Sequence, residues 1–293
     1  MRHAAMLWLM VGTVALVGCG RGKLDQALED TEEVAQALGD MMASADESSG
    51  ENGGTFAFYK AGGVRRMMDT PLDRLQDAIL PSAHAAACWG ADTFGTCSNS
   101  TITRTFGGCT VGLASLTGTV TLTWTGGNCR LETVGESVTR VPNFTITGRR
   151  DATLTVSGAG QQLTRTGADA YTYHVSGVSR VLRTAAGATL ADVDTRTTAD
   201  VTVTGTSRAS RVMNGGTFEV RHNVAKYTTT LSPANLTWTA SCNCATSGSL
   251  TGTVTPDDGD AVDVTVTVTG CGTATITADD KSKEVTFDRC SGT

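Results

Sequence analysis

The chain has 293 residues, of which 40% are hydrophobic, 18% charged and 5% aromatic, and its formal net charge is −6. This length suits one large domain or two small ones. The acidic balance lacks the basic footprint of a nucleic-acid-binding protein, so no nucleic-acid partner is expected. The 34 glycines show no three-residue period, which excludes collagen, and the 50 threonines supply more β-branched residues than a disordered chain carries.

Residues 1–18 have the pattern of a bacterial secretory signal peptide. The positive charge of Arg2 precedes an apolar run over residues 4–17, which is too short to cross a bilayer comfortably. The run ends in Leu16-Val17-Gly18-Cys19, and this sequence resembles the lipobox of bacterial lipoproteins. The alternative is an ordinary secretory signal in which the cysteine falls by chance.

The lipobox resemblance covers residues 1–19 only. It implies cleavage before Cys19, followed by attachment of a diacylglyceryl group and an N-acyl chain to that residue. Three acyl chains exceed the two-signal threshold for stable anchoring, so the membrane is expected as a partner through these chains. Gly20 stands where an Asp would favour retention in the inner membrane, so the resemblance implies the outer membrane of the cell envelope.

Residues 19–87 are predicted to form a lipidated helical tether and a linker. Apolar residues recur at helical spacing among acidic ones, at Leu24, Leu28, Thr31, Val34, Leu38 and Met41. Such a helix could form a coiled-coil stalk, pack on the body or act as a spacer. Residues 47–54 have the composition of a flexible linker, and a second short helix is predicted around residues 65–80, before Pro81.

Residues 88–293 are predicted to form one mainly-β body, as an antiparallel Thr-rich sandwich, barrel or curled meander of roughly 12 to 15 strands. Apolar and Thr residues alternate with period two, as in the apolar face of Val262, Val264, Val266 and Val268. Turns are predicted at residues 126–128, 148–151, 214–216, 256–259 and 278–281. An unchanged repeat, Ser-Leu-Thr-Gly-Thr-Val-Thr at residues 115–121 and 249–255, supports a single body.

The cysteines after Cys19 are even in number, which in an exported chain predicts disulfides. They form two groups with none between residues 130 and 241, which favours pairing within each group: Cys88, Cys97, Cys109, Cys129 and Cys242, Cys244, Cys271, Cys290. Cys242 and Cys244 share a face if their segment is an extended strand, and a bond between them would be strained. Each is therefore expected to pair elsewhere, and a thiolate metal site is disfavoured.

The sequence contains no recognised catalytic motif, and no catalytic residue, cofactor or metal is assigned. His174 and His222 are placed in strands, and a catalytic role would require one of them to meet a carboxylate in a cleft. An acidic turn offers weak calcium candidates in Asp257, Asp258, Asp260 and Asp263. The aromatic anchors expected in the body are Trp89, Trp124 and Trp238, with Trp124 and Trp238 facing inward.

These features predict an outer-membrane-anchored envelope lipoprotein that acts as a non-enzymatic structural or binding module. An envelope protein or an apolar ligand is the expected partner. Two rival functions stay open. A curled sheet could enclose an apolar ligand as a carrier, which requires a large cavity, or the protein could be a secreted hydrolase that uses one of the two strand histidines.

Overall fold

The computed structural model describes residues 24–31, 34–35, 97–111, 114–127, 129–148, 151–205, 207–242, 244–287 and 290. Cys19, Cys88, Trp89 and the helix predicted around residues 65–80 lie outside this part of the chain, as does the side chain of Cys109. Among the described residues, no helix has the length and apolar character needed to cross a membrane.

The described chain forms one α-helix, α1, over residues 24–31 and 34–35, a short 3-10 helix at Arg208–Ser210, and 14 strands. The strands are β1 (Thr101–Val111), β2 (Ala114–Trp124), β3 (Ser137–Thr147), β4 (Thr153–Arg165), β5 (Ala170–Arg183), β6 (Thr189–Ala199), β7 (Val201–Thr204), β8 (Val212–Asn214), β9 (Thr217–His222), β10 (Tyr227–Trp238), β11 (Ala245–Pro256), β12 (Val262–Gly270), β13 (Thr273–Ala278) and β14 (Lys281–Thr286). All pair antiparallel in a single sheet, which confirms the predicted mainly-β, Thr-rich fold class.

The sheet is a meander in which two of the lines of strands each consist of two strands placed end to end. The sheet order is β1-β2-β3-β4-β5-β6-β9-β10-β11-β12-β13-β14, while β7 pairs with β5 and β8, and β8 also pairs with β10. β6 and β7 therefore lie end to end beside β5, and β8 and β9 lie end to end beside β10. The strands β5, β6, β9, β10, β8 and β7 therefore pair in a closed ring. The ring surrounds the break between β6 and β7 and the break between β8 and β9.

One of these interruptions corrects a prediction. The residues Asn214-Gly215-Gly216 were expected to form a turn that reverses the chain, but they join β8 to β9 along one line. The partner positions show this, because Met213 lies opposite Leu236 and Phe218 lies opposite Leu231, which is one continuous register along β10. Gly215 and Gly216 take φ of 63° and 71°, so the two glycines absorb a local kink without reversing direction.

Register shifts recur near the middle of the strands. They interrupt the pairing of β3 with β4 between Arg140 and Phe144, and that of β4 with β5 between Ser157 and Gln161. Gly118 and Gly160 take φ of 110° and 94°, and a Cβ atom at either position would overlap a backbone carbonyl of the neighbouring strand. Bulges of this kind bend a sheet, so a line of glycines and bulges crosses the meander.

The sheet has two ends, which we name by what they carry. The turn rim is the end with the connections at residues 148–152, 184–188, 223–226, 257–261 and 279–280. The disulfide rim is the opposite end, where all three disulfides of the described chain lie, as Cys97–Cys129, Cys242–Cys271 and Cys244–Cys290. These assignments follow from the antiparallel order, because the strands alternate in direction once β6 and β7, and β8 and β9, are each taken as one line.

One face of the sheet, the inner face, carries the apolar core. The predicted alternation in β12 is confirmed, since Val262, Val264, Val266 and Val268 are all buried. α1 packs against this face, because its residues Ala27, Leu28, Val34 and Ala35 belong to the same cluster of buried residues as the strands. Of the three alternatives predicted for the first helix, these contacts support packing on the body.

Candidate functional site

The predicted strand histidine His174 meets a carboxylate on the outer face of the sheet. Its Nδ1 lies 2.7 Å from Oδ1 of Asp200 and 3.2 Å from Oγ1 of Thr197. Asp200 occupies the break between β6 and β7, so the interruption of that line supplies the carboxylate. The His174 and Asp200 side chains are 42% and 52% exposed, which places the pair on an open surface.

Next to this pair, a side-chain hydroxyl, and not a backbone carbonyl, accepts the hydrogen bond of a strand amide. The hydroxyl oxygen of Thr197 accepts a hydrogen bond of 3.0 Å from the amide of Val175. Opposite His174 on β4 lies Gln162, whose amide donates to the hydroxyls of Ser137 and Thr139. The site is therefore a polar band of hydroxyl, amide, imidazole and carboxylate groups across β3, β4, β5 and the β6–β7 break.

The chemistry open to this arrangement is limited. A carboxylate on Nδ1 orients an imidazole as in a general base, with Nε2 directed elsewhere. Within the described part of the chain, no hydroxyl or thiol is hydrogen-bonded to Nε2 of His174. The geometry thus provides an oriented imidazole without an attached nucleophile.

The second histidine lies on the inner face. His222 is 3% exposed, and its Nδ1 accepts a hydrogen bond of 2.9 Å from the amide of Ala225. Its ring packs on that of Tyr227, with 5.2 Å between the ring centres. Burial lowers the pKa of His222 because the charged form loses its hydration. Its surroundings are those of a packed core histidine.

The predicted local pairing of cysteines is confirmed for the six whose side chains are described. Cys97 bonds Cys129 in the first group, and in the second group Cys242 bonds Cys271 and Cys244 bonds Cys290. Cys242 and Cys244 indeed pair elsewhere, but not for the reason given by their spacing. They lie in the connection between β10 and β11 and not within a strand.

The acidic turn predicted as a weak calcium candidate is engaged by an arginine. Arg221 Nη2 donates to Oδ2 of Asp257 over 2.6 Å, and its Nη1 contacts the other carboxylate oxygen. This guanidinium holds the pKa of Asp257 below its usual value. Asp258, Asp260 and Asp263 lie nearby in sequence, but the described residues contain no group of three His, Cys, Asp or Glu arranged to hold a metal ion.

Trp124 and Trp238 both lie on the inner face, as predicted from their alternation with Thr. They are 8% and 3% exposed and belong to the main core cluster. The guanidinium of Arg211 lies 5.7 Å from the ring centre of Trp238. Both tryptophans therefore pack within the core.

Sequence reasoning missed the charge asymmetry between the two faces of the sheet. The carboxylates of the described strands all lie on the outer face, at Asp192, Asp194, Glu219, Asp263 and Glu284. In the described strands, the inner face carries no carboxylate, and its basic side chains include Arg104, Arg140, Arg180, Lys281, Lys283 and His222. The outer face also carries Arg196 and Arg221, which pair with Glu219 and Asp257. Parity of position could have found the basic side chains of the inner face, since Arg104 has the same parity along β1 as the apolar Ile102 and Phe106.

The helix α1 brings an acidic residue to this cationic face. Asp30 is 5% exposed and accepts a hydrogen bond of 2.7 Å from Gln26, while its carbonyl oxygen accepts one of 3.4 Å from Tyr227. Burial raises the pKa of Asp30 to about 6, and the charge of Glu29 adds to the increase. The helix is therefore docked at the cost of burying one carboxyl group.

Comparison of the chain with protein-family models, with curated proteins and with solved structures finds no match in any of the three.

Proposed function

We propose that this protein is an outer-membrane-anchored envelope lipoprotein whose β body acts as a non-enzymatic structural or binding module. The proposal rests on two features together: the lipobox-like sequence at Cys19 and a body that is cross-linked by disulfides. Disulfides persist in oxidising compartments and are rare in the cytosol. They therefore support export, which a lipobox also requires.

The outer face offers a surface suited to neutral contact. It carries a row of hydroxyl side chains, one from each of β9 to β14, at Thr217, Ser232, Thr251, Thr265, Thr277 and Ser282. A second row pairs Thr230 with Thr253, whose hydroxyl oxygens lie 3.0 Å apart, and it is flanked by Glu219 and Asp263. Strands are spaced by about 4.8 Å, so the hydroxyls of the first row form a regular uncharged line on a face that carries carboxylates beside it. Such an array favours contact with a polar, neutral partner.

The anchoring proposal is tested by fractionating cells that express Cys19→Ser. We expect the native chain in the outer membrane with acyl groups on Cys19 by mass spectrometry, and Cys19→Ser in the soluble fraction. Gly20→Asp is the matched control, because it keeps the lipidated cysteine and should move the protein to the inner membrane. A Cys19→Ser protein that still matures at residue 19 and stays in the membrane would overturn the proposal.

A second candidate function is the carriage of an apolar ligand on the inner face. It is favoured by the buried cationic side chains of Arg104 and Arg140 on that face, which suit the carboxylate of a fatty acid. Trp124 and Trp238, which pack on the same face, are the fluorescent reporters. Titration with a long-chain fatty acid, followed by tryptophan fluorescence, separates carriage from core packing. Packing predicts no change in emission, whereas a saturable shift that Trp124→Phe abolishes would support the carrier.

A further inference from the structure

The helix α1 joins the sheet at the turn rim. Oδ1 of Asp25 lies 2.6 Å from Nζ of Lys281, the first residue of β14. The hydroxyl of Tyr227, the first residue of β10, donates to the carbonyl oxygen of Asp30. Both strands begin at the turn rim, so the first contact places the start of α1 at this end of the sheet and the second holds the following turn of the helix there.

The opposite end of the sheet is far from this point. β10 has 12 residues, and at roughly 3.3 Å per residue it spans about 40 Å. The disulfide rim, with Cys97–Cys129 and both disulfides of the second group, lies at the far end of this span. Along β10 the two rims are thus separated by more than the thickness of the hydrocarbon core of a bilayer, about 30 Å. Along β14, whose 6 residues begin at Lys281, they are separated by roughly 20 Å.

From this geometry we infer that the turn rim faces the lipid surface and the disulfide rim projects away from it. The inference rests on the proposed acylation of Cys19. Six residue steps separate Cys19 from Asp25, and a fully extended chain covers at most about 3.6 Å per step, or roughly 22 Å in total. Because α1 is docked on the sheet, the acyl chains of Cys19 must lie within this distance of Asp25.

The turns at this rim differ in their chemistry. The turn at residues 184–188 is Thr-Ala-Ala-Gly-Ala, and the neighbouring turn at 223–226 exposes Val224, which is 46% exposed. The turns at 257–261 and 279–280 carry aspartates instead. An anionic lipid surface repels carboxylates, so the turns at 184–188 and 223–226 make the closest approach. Val134 at the disulfide rim is exposed as well, so apolar exposure alone does not indicate which rim faces the membrane. The short distance along the chain between Cys19 and Asp25 is what favours the turn rim.

The test places one fluorophore on either rim of the acylated, full-length protein. Ala225→Cys labels the turn rim and Ala209→Cys labels the disulfide rim; both alanines are exposed. Each labelled protein is reconstituted into vesicles of phosphatidylethanolamine and phosphatidylglycerol that contain an acceptor lipid. We expect clearly stronger energy transfer from residue 225 than from residue 209. Native protein that is carried through the same labelling reaction measures the background from its own thiols.

A matched variant with about 20 Gly and Ser residues inserted between Cys19 and Leu24 tests the cause. A flexible linker of this length adds roughly 25 Å of reach, so the difference between the two labels should shrink. Equal transfer from both labels in the native chain, or stronger transfer from residue 209, would overturn the orientation. Mass spectrometry separates the two proposals, because an unacylated Cys19 would overturn the lipoprotein proposal and this inference together.

Discussion

The carboxylate of Asp200 lies 2.7 Å from Nδ1 of His174, although the two residues are 26 positions apart in the chain. The contact arises because β6 and β7 are separated at Asp200, directly beside the bulged middle of β5. It satisfies one condition for the hydrolase rival, a histidine paired with a carboxylate. The second condition, a cleft with a nucleophile, is not supplied by the described residues around this exposed pair.

From the proposed role as a structural or binding module, we expect the purified protein to hydrolyse neither ester nor glycan substrates. Turnover by the native chain, His174→Ala and His222→Ala should all equal the background rate. The buried His222 serves as the control position. Activity in the native chain that His174→Ala abolishes and His222→Ala retains would contradict the non-enzymatic proposal.

Replacing Gly118 by Ala should destabilise the sheet. Gly118 takes φ of 110°, and a Cβ atom there would overlap the carbonyl oxygen of Asn143 on β3. We expect a loss of roughly 3 kcal/mol in the free energy of unfolding, seen as a fall in Tm of about 6–12 °C. Gly252 occupies the same position in the second copy of the repeat, and Gly252→Ala should act in the same direction because its Cβ would overlap the carbonyl of Thr230.

Gly107→Ala is the control for this prediction. Gly107 lies on β1, and a Cβ atom there would meet nothing within 4 Å. Its free energy of unfolding should stay within about 0.5 kcal/mol of the native value. Equal effects of Gly107→Ala and Gly118→Ala would show that the close approach between β2 and β3 does not constrain the sheet.

The docking of α1 should depend on pH through Asp30. Burial raises the pKa of this carboxyl from 3.8 to about 6, so the folded protein binds the proton more tightly than the unfolded chain. The contribution to stability is therefore fully present below about pH 3.8 and is lost as the pH rises through about 6. Asp30→Asn, which mimics the neutral carboxyl, should raise stability at pH 8 by up to roughly 3 kcal/mol, at ~1.4 kcal/mol per pH unit.

Thermal unfolding of the native chain and Asp30→Asn between pH 4 and 8 checks this dependence. The difference in Tm should shrink toward zero near pH 4, and taking the difference cancels the opposite contribution of His222, whose pKa is lowered by burial. Asp25→Asn is the matched control: its exposed pair with Lys281 is worth about 0–1 kcal/mol, and its loss should lower stability. A pH-independent effect of Asp30→Asn would contradict the raised pKa of the Asp30 carboxyl group.

Removing the Cys244–Cys290 disulfide should cost more stability than removing Cys242–Cys271. The paired positions are 46 and 29 residues apart, and the chain-entropy model assigns roughly 4.0 and 3.6 kcal/mol to loops of these lengths. Denaturant unfolding of the two double Cys→Ser variants measures both values. The larger loss should accompany release of the chain end after β14, because Cys290 ties it to the β10–β11 connection.

Thiol labelling without reductant checks the oxidation state of the whole chain. We expect almost no reactive thiol, including at Cys88 and Cys109, whose pairing stays a prediction. Peptide mapping should join Cys97 to Cys129 and should find no bond between the two cysteine groups. A peptide that links Cys129 to Cys271 would contradict the local pairing but not the oxidation.

Alternation along the chain was enough to predict most strands of this body. The apolar face of β12 and the inward direction of Trp124 and Trp238 follow from a period of two, which any strand must obey. The rule that reads an Asn-Gly-Gly sequence as a turn failed at residues 214–216, because glycines kink a strand as readily as they reverse it. Asp200 was not predicted as a partner of His174, because their contact depends on a break in a line that no periodicity marks.

By itself, the sequence determined the β class, the inward faces of the strands and the local pairing of the six cysteines whose side chains are described, because these depend on spacing along the chain. Only the tertiary structure decided which strands share a line, which rim carries the disulfides and where α1 docks. These outcomes depend on contacts between residues far apart in sequence, such as Asp25 with Lys281, and their free energies are settled only when the whole sheet assembles.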